Sequence, residues 1–232
     1  HLYGFQNAKK NFSTGDWLKL ANQKILQCRK IKKTPILVGG TGLYFKALTE
    51  GLVNIPKIPI NFRNKVRNLH KKIGQKKFFL KLQEIDPMIK DQINSLDVQR
   101  SLRAYEIKSF TKKSMISWFK NTKSDYDNND FYKICIDFPR KDLLDRINKR
   151  SEDMIKLGAI LEVKKFIKLR VPKNKSLSKA IGISEIKQYL QKKIQTDQLI
   201  EKISIKTRQY AKRQSTWARG HMKDWNKVNP AG

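Results

Sequence analysis

The chain has 232 residues, 39% of them apolar, enough for one large domain or for a core with a smaller second domain. Lysine and arginine number 51 against 20 acidic residues, a formal charge of +31. That excess fits a polyanion, RNA or DNA first, and argues against an enzyme confined to small neutral substrates; biased base composition in the gene would give the same total. Cys28 and Cys135 are far apart, and His1, His70 and His221 show no metal-ligand spacing. This excludes a local Cys/His metal site and points to a reducing, cytoplasmic setting, with no signal peptide and no apolar run long enough to span a membrane.

In chain order, Ser13 and Asp16 form an S-x-x-D capping box. Trp17, Leu20, Ala21, Ile25 and Cys28 then follow helical spacing to about Arg29. Pro35 precedes a short apolar run, Ile36–Val38, expected to be a buried strand. Gly39, Gly40 and Gly42 bend the chain around Thr41, and Leu43, Ala47 and Leu48 begin a helix that Gly51 stops. Strand, glycine turn and helix suit an anion; they equally suit a plain β-to-α turn in which Thr41 is an N-cap. Residues 52–60, with two prolines and no periodicity, make a hinge.

Residues 61–119 read helical throughout. Phe62, Val66, Leu69 and Ile73 mark one helix and Phe78, Phe79 and Leu82 another. Asp86–Pro87 starts a short third with Ile89 and Ile93, and Asp97–Phe110 is a fourth. A polar loop is expected over 121–130 and a strand returning to the sheet over Phe131–Phe138. A helix from Arg140 should carry Leu143, Ile147, Met154 and Leu157 inward as far as Gly158. Val163, Phe166 and Ile167 continue as a helix, Pro172–Lys179 is a basic loop, and Ile186–Leu190 is helical. Asp197 is placed to cap a last helix with Ile203, Thr207, Tyr210, Gln214 and Trp217 on one face. The expected architecture is an α/β parallel-sheet core (1–57 and 129–232) interrupted by an all-helical insertion (58–128).

Three further clusters carry chemistry. Gln99, Arg100 and Arg103 share a helix and can present one phosphate- and base-reading surface, with Glu106 continuing the polar side; a solvated, ion-paired face is the bland reading. Arg146 and Arg150, one turn apart, suit a diphosphate or surface salt bridges equally. Thr207–Arg219 interleaves bases with aromatics, as RNA contacts do, although Trp217 itself reads as a core residue.

The blocks ILVGGTGLYFKALTEGL, DVQRSLRAYEI, RINKR…MIKLG and TRQYAKRQSTWAR, in this order and spacing, resemble the bacterial tRNA dimethylallyltransferase (tRNA isopentenyltransferase) family over residues 1–225. The resemblance implies a P-loop NTPase-like core with a helical insertion. It implies transfer of a dimethylallyl group from dimethylallyl diphosphate, with Mg²⁺, to N6 of adenosine 37 in the tRNA anticodon arm, by a monomer. It implies Thr41 in the reaction channel, and tRNA contacts from Arg63, from Gln99, Arg100, Ser101, Leu102 and Arg103, and from Lys212, Arg213, Gln214, Trp217 and Arg219. Arg146 and Arg150 match its diphosphate side, without deciding which of them touches ligand.

Two departures stand out. Where the family has R-C-x-G-Y-[RK], this chain has Lys179–Ala180–Ile181–Gly182–Ile183–Ser184, keeping only the basic first position and Gly182. The family's P-loop, its general-base aspartate and a D-S-x-Q-x-Y segment all precede an H-H-L motif, and this chain starts at His1–Leu2. The expectation is therefore RNA binding without transfer by these 232 residues alone. Alternatives are a non-catalytic RNA-binding remnant and, from a different class, a P-loop kinase-type fragment.

Overall fold

The computed structural model describes residues 1–120 and 122–230. Asn121, where the expected polar loop begins, and the last two residues lie outside the described residues. Contacts divide the chain into two compact units, His1–Ala47 with Asn128–Gly232, and Leu48–Asp127.

The first unit opens with α1 (Thr14–Lys30). Its capping box forms: Ser13 Oγ accepts from the Asp16 N–H at 3.1 Å, and Asp16 Oδ2 accepts from the Ser13 N–H at 2.9 Å. Caps of this kind contribute about 0.5–2 kcal/mol. Helix α2 (Gly42–Thr49) packs on α1 through Trp17 and Tyr44, whose rings stack with centroids 4.6 Å apart. Strand β1 (Ile134–Ile136) pairs in parallel with β2 (Asn226–Val228), Cys135 opposite Lys227. Helices α6 (Arg140–Lys156), α7 (Ala159–Lys168), α8 (Ile183–Leu190) and α9 (Thr196–His221) surround a core of Ala159, Val163, Ile183, Ile186, Leu199 and Ile203.

The α/β expectation is met by a mostly helical chain with a small parallel sheet, and four local expectations are corrected. Ile36–Val38 is not a buried strand: Ile36 is 83% and Val38 75% exposed, and among the described residues the sheet contains only β1 and β2, so no strand pairs with this run. The returning strand is three residues long rather than eight, because only Ile134–Ile136 finds a partner. Leu157 is 87% exposed instead of inward, since it closes α6 just where Gly158 turns the chain away. Asp197 does not cap α9; the free N–H of Gln195 is taken by Gln198 Oε1 at 3.0 Å.

The second unit is helical. Helix α3 (Ile60–Ile85) holds Gly74 at φ 75°, ψ 167°, which no helix interior adopts, so it is two helical halves joined at a kink, matching the two apolar patterns around 62–73 and 78–82. The expected third helix is only a 3₁₀ turn, Pro87–Ile89, with Ile89 buried within it and Ile93 buried beyond it. Helices α4 (Val98–Thr111) and α5 (Met115–Phe119) close a core of Ile58, Phe79, Leu82, Ile89, Ile93, Ala104, Ile107 and Met115. Ala104 and Ile107, three apart, turn one face of α4 into that core; the rest of the helix carries the charged groups.

Candidate nucleic-acid interface

In the first unit the glycine turn and the basic C-terminal block come together. Gln214 Nε2 donates to the Gly40 carbonyl at 2.8 Å. A Cβ on Gly42 would lie 2.1 Å from the Trp217 ring, and one on Gly40 2.1 Å from Gln214 Nε2. Gly42 is therefore required by the close approach of the Trp217 ring, whereas at Gly40 the Gln214 amide tip could swing aside at the cost of its hydrogen bond. Thr41, between them, stays exposed, and its carbonyl accepts from the Tyr44 N–H at 2.9 Å, starting α2. Trp217 is half-buried rather than a core residue. Its other partner is His221, whose ring stacks on it at 4.4 Å and whose Nδ1–H donates to the Trp217 carbonyl at 3.0 Å.

The same stretch of α9 carries a basic strip. Lys212, Arg213 and Arg219 are exposed, with Arg213 lying 5.6 Å from the Tyr210 ring centroid. Lys179 is exposed at the end of a 3₁₀ turn, whereas Gly182 is buried and its N–H donates to Glu185 Oε2 at 2.9 Å. Glu185 is itself buried and also accepts from Lys206 and, at 2.5 Å, from the Ser184 hydroxyl. Burial pushes its carboxyl up, but the hydrogen bonds from Lys206, Ser184 and the backbone N–H groups of Glu185 and Gly182 win and hold it below the ordinary range. The departure from the family pattern at 179–184 thus sits on a firmly pinned turn.

Arg146 and Arg150 line one open groove with Lys149, Asp153, Met154 and Glu162. Arg146 lies over the Phe138 ring at 4.5 Å. A guanidinium resting on an aromatic face keeps its edge donors for an anion. Among the described residues no three His, Cys, Asp or Glu side chains converge as metal ligands, so this set does not build a Mg²⁺ site of its own. The Cys135 thiol is pushed up by burial and then by the Asp137 carboxylate, which makes it a poor nucleophile. No helix is long and apolar enough to cross a membrane among the described residues.

In the second unit α4 carries Gln99, Arg100, Ser101, Leu102 and Arg103. Asp97 caps it, accepting from the Arg100 N–H at 3.0 Å and pairing with Arg100 Nε at 3.5 Å. Gln99 and Arg100 are exposed; Leu102 and Arg103 are half-buried. Ser101 is not outward. It is fully buried, its hydroxyl donating to the Asp97 carbonyl at 2.7 Å and accepting from Gln75 Nε2 at 3.1 Å, so it ties α4 to α3. Glu106, read from sequence as part of an exposed polar face, is only 2% exposed. Arg63 Nε donates to its Oε2 at 3.1 Å, Arg103 Nη1 lies at 3.5 Å, and Arg67 Nε lies 3.9 Å from Oε1. Arg67 carries no motif and was not singled out by the sequence; the helical spacing from Arg63 was the available signal.

With this geometry in place, the comparisons decide the family. The model of the IPP transferase family matches residues 1–221. A tRNA dimethylallyltransferase of Pelagibacter ubique is 56% identical over 230 residues, covering 99% of this chain and 74% of that protein. The chain belongs to the IPP transferase family. Another member, the tRNA dimethylallyltransferase of Rickettsia massiliae, is 41% identical over 226 residues, 97% of this chain and 62% of its own length. Among solved structures, the full-length tRNA isopentenylpyrophosphate transferase from Bacillus halodurans aligns with a TM-score of 0.63 and 29% identity, over 99% of this chain and 71% of that one. A eukaryotic dimethylallyltransferase acting on tRNA shares the fold at a TM-score of 0.77 and 22% identity, over 95% of this chain and 57% of its own.

Proposed function

We propose that this chain serves the transfer of a dimethylallyl group from dimethylallyl diphosphate to N6 of adenosine 37 in tRNA, in the cytoplasm. The observation that carries the reading is the seating of Gln214 and Trp217 of α9 on the glycine turn that presents Thr41. Two blocks more than 170 residues apart in sequence, |i−j| being 174 for Gln214 and Gly40, thereby form one surface with an exposed hydroxyl beside a basic strip. Thr41 orients the target adenine by hydrogen bonding, and Lys212, Arg213 and Arg219 take the flanking phosphates. Lys179 adds a charge to that first unit, with Gly182 shaping the turn behind it. In the second unit, 48–127, Arg63, Gln99, Arg100 and Arg103 grip the anticodon arm, with half-buried Leu102 beside them and Ser101 holding α4 in place rather than reaching out.

The chemistry fits these roles. An exocyclic amine is a weak nucleophile, so reaction depends on a positioned base and on neutralising the diphosphate as it leaves. Arg146 and Arg150 are the residues of this chain suited to that leaving group. Mg²⁺ would supply further charge on the diphosphate when bound, and the described residues offer it no protein-built cluster. No carboxylate of this chain is assigned to the N6 proton.

Binding of an anticodon stem–loop tests the reading. The affinity is expected to fall linearly with salt on logarithmic axes, by about 0.7–0.9 per phosphate contacted, with a total slope of about 3–5. Equal affinity for an unrelated hairpin of the same length, or binding that salt leaves unchanged, would overturn it.

A further inference from the structure

Glu106 is buried, yet three guanidinium groups converge on it. One cation suffices to compensate a buried carboxylate, and the surplus needs another reason. The side chains of Arg63, Arg67 and Arg103 are 36%, 46% and 40% exposed, so each has one edge on Glu106 and the rest toward solvent. Arg63 donates to the carboxylate through Nε at 3.1 Å, while Arg67 and Arg103 stand at ion-pair distances of 3.9 and 3.5 Å. Three positive charges against one negative leave the cluster at a net +2, held within a few ångströms. Without the carboxylate these groups would repel one another and spread.

We infer that Glu106 is a positioning residue that holds Arg63, Arg67 and Arg103 together as a clamp for adjacent backbone phosphates of RNA, and that Arg67 is a phosphate-contacting residue of that clamp. The inference rests on the RNA-binding reading above and adds to it a residue that touches no RNA and one outside the motifs. The spacing explains the arrangement: Arg63 and Arg67 lie one turn apart on the first half of α3, and Arg103 precedes Glu106 by three on α4. Guanidinium forks fixed in this way meet phosphate oxygens with little loss of side-chain freedom on binding.

The substitution Glu106→Gln separates positioning from simple charge. It keeps the size of the side chain and makes the patch more positive by one. If the arginines acted only through their field, the variant would bind an anticodon stem–loop more tightly and with a steeper salt slope. The clamp requires the opposite, about a tenfold weaker affinity at physiological salt and a slope shallower by about 0.7–0.9 or more. Glu106→Asp should recover part of the affinity. Arg67→Ala, at a side chain nearly half exposed, should weaken binding about three- to tenfold and lower the slope by about 0.7–0.9, and it decides the matter should Glu106→Gln fail to fold. Unchanged or tighter binding by a folded Glu106→Gln protein, or an Arg67→Ala protein indistinguishable from the parent, overturns the inference while leaving the RNA reading intact. Failure of the parent chain to bind the stem–loop overturns both.

Discussion

Glu185 shows how one side chain can hold a turn in place. It closes the start of α8 by accepting from the Gly182 N–H, and it reaches across to Lys206 on α9. Because these bonds hold its carboxyl below the value of an unfolded chain, the stability it contributes is fully present at neutral pH. That contribution is lost as pH falls below about 4.3 and through the lower folded value. Glu185→Gln keeps the shape and removes the charge. It should cost about 1–3 kcal/mol at pH 7, and denaturant unfolding should show a smaller acid-induced loss between pH 6 and pH 3 than in the parent. Curves that stay parallel across that range would exclude Glu185 as the titrating group. At this scale the sequence was a partial guide. Thr41, Lys212, Arg213 and Arg219, singled out by the sequence, are exposed. The burial of Glu106 was hidden, because it depends on Arg63 and Arg67, 43 and 39 positions away on another helix.

Among the elements, those set by local rules were legible. The Ser13–Asp16 box, the separation of the 62–73 helix from the 78–82 helix and the apolar spacing of α6 up to Met154 each act within a few residues, so their outcome follows from neighbours in the chain. Ile36–Val38 has the β-branched composition of a strand, but a strand exists only through a partner, and that partner is not specified locally. β2, with the sequence Asn226–Lys227–Val228, has no alternation to reveal it and is defined by its pairing with β1. The contact between α9 and the glycine turn offers a test at this scale. Gly42→Ala places a methyl group into the Trp217 ring and should destabilise the packing of α2 on α9 by about 1–3 kcal/mol. Thermal unfolding followed by tryptophan fluorescence reads this directly; Gly220→Ala, which meets nothing within 4 Å inside α9, is the control expected to leave stability unchanged or raise it by up to about 1 kcal/mol.

For the molecule as a whole, two units each build their own apolar core and each presents arginines and lysines. Within the +31 charge, Arg63 and Arg103 are organised by the Glu106 carboxylate and Arg213 by the Tyr210 ring. The central claim is that the surface around Thr41 receives adenosine 37 while the arginine-rich helices hold the arm. It is tested most directly by an anticodon stem–loop bearing a photoreactive adenosine at position 37, cross-linked to the 232-residue chain and mapped by peptide sequencing. The account predicts an adduct within residues 36–51, at or next to Thr41. Adducts found only between residues 60 and 119, with none on the glycine turn or on α9, would contradict it.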